Sequence, residues 1–242
     1  MDWTDEGIVL SVRTHGETSA LVELMTRGHG RHLGIVRGGR SRTARPLLQA
    51  GNRLQAHWRA RLDEHLGNFT VEGLDLAAGR LMASRAALFG LGNLVALARL
   101  LPERDPHPAV YQALGIVIEH LDDAATAAAL MVRFELAMLS ELGFGLDLSS
   151  CAATGEAHDL AYVSPKSGRA VGRDAGAAYA GRLLTLPAFL VGSGPNAAPT
   201  VEDVAAVFRL TGHFLSRHVY EARGMAEPEA RAAFIAASLA DR

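Results

Sequence analysis

The sequence predicts an α+β protein in several parts, with a five-stranded β-barrel at the amino terminus and an α-helical bundle after it. Three observations carry this expectation. Five short β-rich runs divided by turns fall within the first 76 residues, the apolar period lengthens to about 3.6 from Leu81 onward, and the charge changes sign along the chain. The first 80 residues hold 11 Arg against 9 acidic residues, whereas residues 81 to 242 hold 13 Lys or Arg against 17.

The runs Gly7–Arg13 and Ser19–Thr26 are rich in β-formers and are separated by His15-Gly16-Glu17. Arg27-Gly28-His29-Gly30 reads as a turn, and Arg31–Val36 as a third strand. Gly51-Asn52 opens a fourth, in which Leu54, Ala56 and Trp58 alternate with Arg53, Gln55, His57 and Arg59. That period of two places Trp58 in the barrel core in preference to a base-stacking surface. Leu66–Leu76 supplies the fifth strand. Five strands with one long polar loop among them fit a small closed barrel of the oligonucleotide-binding (OB) kind.

Beyond the barrel, Leu81–Leu101 reads as a helix stopped by Pro102, and Asp105-Pro106-His107-Pro108 turns the chain into a helix reaching about Leu121. Asp122 or Asp123 is placed to cap the next, whose stripe is Leu130, Met131, Phe134, Met138 and Leu142, ended by Gly143 and Gly145. Residues 147–176 lack helical period, and Gly192–Asn196 is a loop. Val201, Val204, Phe208, Leu215 and Val219 mark a further amphipathic helix, and Glu227-Pro228 begins a last one. The domains expected are 1–78 (barrel), 79–146 (helical, first part), 147–176 (insertion) and 177–242 (helical, second part).

Composition removes several function classes. A single cysteine, Cys151, excludes an internal disulfide, no secretory leader is recognisable at Met1–Glu6, and no apolar run is long enough to span a bilayer. The expectation is a cytoplasmic protein. Gly28-His29-Gly30-Arg31-His32-Leu33-Gly34 resembles a nucleotide loop, but its third glycine is one place late and a strand follows, so it reads as a turn. GxxxxGK[ST], HExxH, GxSxG and paired CxxC motifs are absent, and the ten histidines are scattered without an evident carboxylate partner. No enzyme active site is expected.

The informative stretch is Arg27–Arg61, with nine arginines, three histidines and no Asp or Glu, in a protein of formal charge -2. Its densest part, Val36–Pro46, alternates arginines with Gly, Ser and Thr and reads as a mobile loop. Guanidinium groups chelate phosphate oxygens in pairs, and nine like charges repel unless a polyanion or an acidic surface compensates them. The expected DNA contacts are Arg37, Arg40, Arg42 and Arg45, supported by Arg27, Arg31, Arg53, Arg59 and Arg61. A solvated loop that binds nothing, or an RNA-binding barrel acting on ribosomal or transfer RNA, is the alternative.

Gly7-Ile8-Val9-Leu10, His15–Ser19, Leu24–Gly30, Val36–Arg40 and Leu48–Asn52, followed by Trp58–Leu62, Phe134-Glu135-Leu136 and Leu142-Gly143-Phe144, resemble in order and spacing the RecO family of bacterial recombination mediators. The resemblance implies an OB barrel, a helical bundle and a zinc-ribbon-like insertion. It also implies binding of single- and double-stranded DNA, annealing of complementary strands, and action with RecR in loading RecA onto DNA coated with single-strand-binding protein, at the bacterial nucleoid. The family's four-cysteine pattern is degraded here: Cys151 remains, Thr154 stands at its partner's place, and Val171 and Asp174 fall near the second pair. No zinc and no other cofactor is therefore expected, and Lys166 and Arg169, on the turn Ser164–Arg169, extend the DNA surface. Apolar helix faces with Arg99, Arg133 and Arg209 are expected to receive the tail of single-strand-binding protein.

Overall fold

The computed structural model describes residues 1–62, 64–192 and 198–240. They form two compact units, 1–123 and 124–242.

The first unit is built on β1 (Asp2–His15), β2 (Ser19–Thr26), β3 (Arg31–Val36), β4 (Arg53–Arg59) and β5 (Asn68–Asp75), closed into a barrel in the order β1-β2-β3-β5-β4. This is the expected OB-type barrel. β1 is longer than the apolar run that announced it, because its first half pairs with β4 (Trp3 opposite Trp58) and its second half with β2. All neighbours are antiparallel except β3 and β5, which join in parallel through Ile35–Asn68 and Val36–Phe69. Val9, Val22, Leu24, Leu54, Ala56 and Trp58 are fully enclosed, so the period of two in β4 does mark the core. Trp58 donates its indole N–H to the Leu66 carbonyl at 3.2 Å. Gly28–Gly34 is a turn running into a strand, with Gly30 at φ 66° and the Thr26 hydroxyl donating to the Gly30 carbonyl at 2.8 Å.

The helix expected over Leu81–Leu101 is two: α1 (Ala78–Leu81) and α2 (Arg85–Ala98). The break lies at Ser84, whose extended backbone and hydroxyl, accepting the Ala87 N–H at 3.2 Å, make it an N-cap. A third helix, α3 (Pro108–Glu119), follows the expected turn and takes Pro108 into its first turn.

The second unit packs α4 (Ala124–Glu141), α6 (Val201–Leu215) and α7 (Glu229–Ala240) around a common core. On α4, Met131, Phe134 and Met138 are buried as the stripe implied, but Leu130, and Leu142 just past the helix end, are half-buried, and the charged Glu135 sits fully inside. Between α4 and α6 the chain forms a small sheet of β6 (Leu160–Val163), β7 (Ala170–Gly172) and β8 (Leu184–Thr185), ordered β7-β6-β8, with a short α5 (Arg173–Gly176) after β7. Positions 193–196 of the expected loop lie outside the described residues. No helix among the described residues is long and apolar enough to cross a membrane.

Candidate nucleic-acid interface

The arginine-rich segment between β3 and β4 is wound and fastened, which corrects the expectation of a mobile loop. Gly38 takes φ 68°, Ser41 N–H bonds the Gly38 carbonyl at 2.9 Å, and Arg45 and Leu48 N–H bond the Ser41 and Ala44 carbonyls in helical fashion. Gly39 comes so close to Ala20 that a Cβ there would lie 2.8 Å from the Ala20 methyl, and the Leu48 side chain is buried in the barrel core. Asn52, fully buried, donates to the Pro46 and Leu47 carbonyls at 2.8 and 2.9 Å and accepts the Ala78 N–H at 2.9 Å. Small residues and buried anchors thus hold the backbone while the arginines stay exposed.

This segment leans on the β1–β2 hairpin, where the Arg40 N–H bonds the Thr18 carbonyl at 3.0 Å and the Arg40 guanidinium donates to the Glu17 carbonyl at 2.6 Å. Between hairpin and loop runs a groove of about 450 Å³ flanked by Arg13, Arg40 and Arg45, with Leu48 and Ala20 at its floor and no acidic side chain in its lining. Three arginines from two chain segments line it, the side chain that chelates phosphate oxygens. Arg37 and Arg42 are exposed on the same loop. Arg13 was not among the expected contacts. It lies outside the acid-free stretch, and only the Gly16 hairpin, with φ 60°, brings it beside the loop.

The remaining expected contacts are dispersed. Arg31 is half-buried, ion-paired with Glu23 at 2.6 Å and Glu103 at 3.4 Å, and donates to the Leu101 carbonyl at 3.2 Å. Arg99, which caps the end of α2, meets the other Glu23 oxygen at 2.5 Å, so both cations compensate a buried carboxylate. Burial alone would push the Glu23 carboxyl up, but hydrogen bonds from Arg99, Arg31 and Ser11 overcome it and hold the carboxyl below its ordinary range. Arg27 and Arg53 line a different pocket, of about 440 Å³, together with Glu6, Asp75, Glu119 and Tyr111. Burial and the neighbouring Glu6 push the Tyr111 phenol up to about 12. Carboxylates beside those two arginines oppose phosphate binding there. Arg59 and Arg61 are exposed at the end of β4 that pairs with Asp2, up to about 35 Å along β1 from Arg13 at roughly 3.3 Å per residue.

Two histidines do have carboxylate partners, against expectation. His29 meets Asp5 at 2.9 Å and stacks on Trp3 with ring centroids 4.1 Å apart, and His107 lies 3.5 Å from Asp105. Sequence separation hides the first pair, since the barrel brings together positions 24 apart.

In the second unit, Lys166 and Arg169 are exposed on the turn between β6 and β7, with Arg169 paired to Asp147 at 3.4 Å. Arg133 donates to the Phe189 carbonyl at 3.0 Å and lies over the Phe189 ring, while Arg209 is exposed on α6. Cys151 is buried and its sulfur accepts the Gly172 N–H at 3.2 Å. Hydrogen bonds from Thr154 and Gly172 lower its thiol to about 7. A lone thiolate beside a hydroxyl does not fit the four-ligand tetrahedral zinc site that the fold family implies. Among the described residues no three His, Cys, Asp or Glu side chains gather as a metal would need.

Residues 1–76 match the family model described as recombination protein O N terminal, and residues 84–225 match the one described as recombination protein O C terminal. Among curated relatives, the DNA repair protein RecO of Methylobacterium nodulans is 62% identical over 244 aligned residues, covering 100% of this chain and 99% of its own. That of Mesorhizobium japonicum is 61% identical, covering 98% and 93%, and that of Agrobacterium fabrum 59%, covering 99% and 94%. The chain belongs to the recombination protein O family.

Proposed function

We propose that the chain is a DNA repair and recombination mediator that holds DNA strands by their phosphates in the groove between the β1–β2 hairpin and the arginine loop. Arg13, Arg40 and Arg45 make the inner contacts, and Arg37 and Arg42 extend them along the loop. The observation that carries this reading is that three exposed arginines line one groove whose lining holds no carboxylate. Neutralising both backbones lets complementary strands approach, so the same surface supports annealing of single strands and binding of duplex, with little dependence on base sequence. With RecR, such a protein promotes loading of RecA on DNA coated with single-strand-binding protein, whose tail we assign to the second unit, where Arg209 is exposed. None of these steps makes or breaks a covalent bond, so we assign no catalytic residue, no cofactor and no metal.

The test is the triple variant Arg13→Ala, Arg40→Ala, Arg45→Ala, titrated with a single-stranded oligonucleotide over a range of salt. Each lost phosphate contact lowers the log–log salt slope by about 0.7, so a drop of about 2 is expected, with affinity reduced at low salt. An unchanged slope in the folded variant would place the binding surface elsewhere. Annealing of oligonucleotides coated with single-strand-binding protein, with and without RecR, tests the mediator role. Competition with RNA of equal length separates it from an RNA-binding barrel.

A further inference from the structure

We propose that Phe144 and His218 form a nucleobase-stacking platform in the second unit, with Lys166 and Arg169 holding the adjoining phosphates of a single strand. The proposal rests on the DNA-binding reading above and adds a site remote in sequence from the arginine loop.

The platform begins at the end of α4. Gly143 takes φ 86°, and the Phe144 N–H reaches back to the Leu139 carbonyl at 2.8 Å, a helix stop that turns Phe144 out of the helix. Phe144 stays 38% exposed. It stacks on His218 with centroids 5.1 Å apart and planes within 17°, and His218 stacks in turn on Phe214 at 5.9 Å and 8°. His218 lies in Ser216–Tyr220, where α6 widens into a π-turn, a distortion that recurs at functional sites. The result is three nearly parallel rings, with Phe214 buried at the inner end and Phe144 open at the outer.

The cations are fastened to the same stack. His213 Nε2 lies 3.1 Å from the Pro165 carbonyl oxygen, and Gly168 packs so closely that a Cβ there would lie 3.2 Å from Leu146 and 3.6 Å from Phe214. The turn that presents Lys166 and Arg169 therefore rests on the inner ring, and both side chains are exposed. The Asp147 partner of Arg169 is equally exposed, a pairing that a phosphate can displace. Flat aromatic surface flanked by positive charge suits an anionic ligand with a flat ring, the chemistry of a single-stranded nucleic acid. The acidic tail of a protein would seek a concave apolar groove instead.

The experiment titrates the full chain and its variants Phe144→Leu and Phe144→Trp with an oligothymidylate and with an abasic strand of the same length. Leucine keeps the apolar packing and removes the stack. Phe144→Leu should weaken the oligothymidylate about five- to a hundredfold, leave the abasic strand unaffected, and be rescued by Phe144→Trp. Equal affinity of Phe144→Leu for the oligothymidylate, or an equal loss for both strands, overturns the platform while leaving the arginine groove in place. A chain that binds neither strand overturns the DNA-binding reading itself. Loss of binding to a peptide of the single-strand-binding protein tail, with DNA affinity kept, overturns the platform in favour of a peptide site.

Discussion

Glu135 of α4 and Arg231 of α7, 96 positions apart, face each other in the interior of the second unit, Nε to Oε1 at 2.8 Å and Nη2 to Oε2 at 3.0 Å. Thr211 of α6 donates its hydroxyl to the same carboxylate at 2.5 Å, and Arg231 also reaches the Phe208 carbonyl at 2.8 Å, so one fork of hydrogen bonds joins all three helices. Burial opposes the Arg231 charge, but Glu135 outweighs it and raises its pKa above the ordinary arginine value. Removing one partner leaves the other charged and enclosed. Arg231→Met is expected to lower the unfolding free energy by about 3–5 kcal/mol, and the double variant Glu135→Leu, Arg231→Met to recover most of that loss. Denaturant unfolding of the two variants checks both expectations.

Glu23 makes the first unit acid-sensitive. Its folded pKa lies below the reference value of 4.5, so the stabilisation it contributes is full above that value and is lost as pH falls through the folded pKa. Glu23→Gln should therefore destabilise the protein near neutrality and narrow its gap to the unaltered chain in acid. Urea unfolding at neutral pH and below pH 4.5 measures the gap. A gap constant with pH refutes the assignment.

Gly67 is fixed by Trp58. With φ at 65° it sits where a Cβ would run into the Trp58 indole, and that indole has no exposed surface to move into. Gly67→Ala combines backbone strain with overpacking and is expected to cost about 1–3 kcal/mol, with Trp58→Ala costing about 3–5 kcal/mol through the cavity it leaves. Thermal unfolding followed by tryptophan fluorescence, in variants that keep Trp3, reads both.

Cys151 yields a pH expectation of its own. Its folded pKa of about 7 is below the reference 9.0, so its thiolate adds stability that grows as pH rises from about 7 to 9, and Cys151→Ala should abolish that rise. A chelator should leave the melting temperature unchanged, and a lower temperature would show that the chain holds a metal after all.

Much of the barrel was legible in the sequence because its signals are local. The alternation of Leu54, Ala56 and Trp58, and the turns at Gly16 and Gly30, each act within a few residues. The helix break at Ser84 was missed because no glycine or proline marks it and a serine hydroxyl does the work of a cap. The site was half legible. Arg40 and Arg45 stood out by composition, but Arg13 joins them only through the hairpin, and Arg31 is withdrawn by a carboxylate on a neighbouring strand. The acid-free stretch suggested unpaired charge, whereas Glu23, just before that stretch, and Arg99, 76 positions after Glu23, show that pairing is decided by topology.

The barrel's closure bears on how many copies can crowd together without sticking. β3 and β5 share only two residue pairs, and the start of β3 is instead covered by a bridge between Arg31 and Glu103. Beyond Phe69, β5 has a strand partner on one side only, and its open edge carries Glu72 and Asp75. Charges on a free edge discourage a second molecule from adding its own strand. Where copies of the chain lie side by side, the two carboxylates favour colloidal separation between neighbours over β-sheet growth.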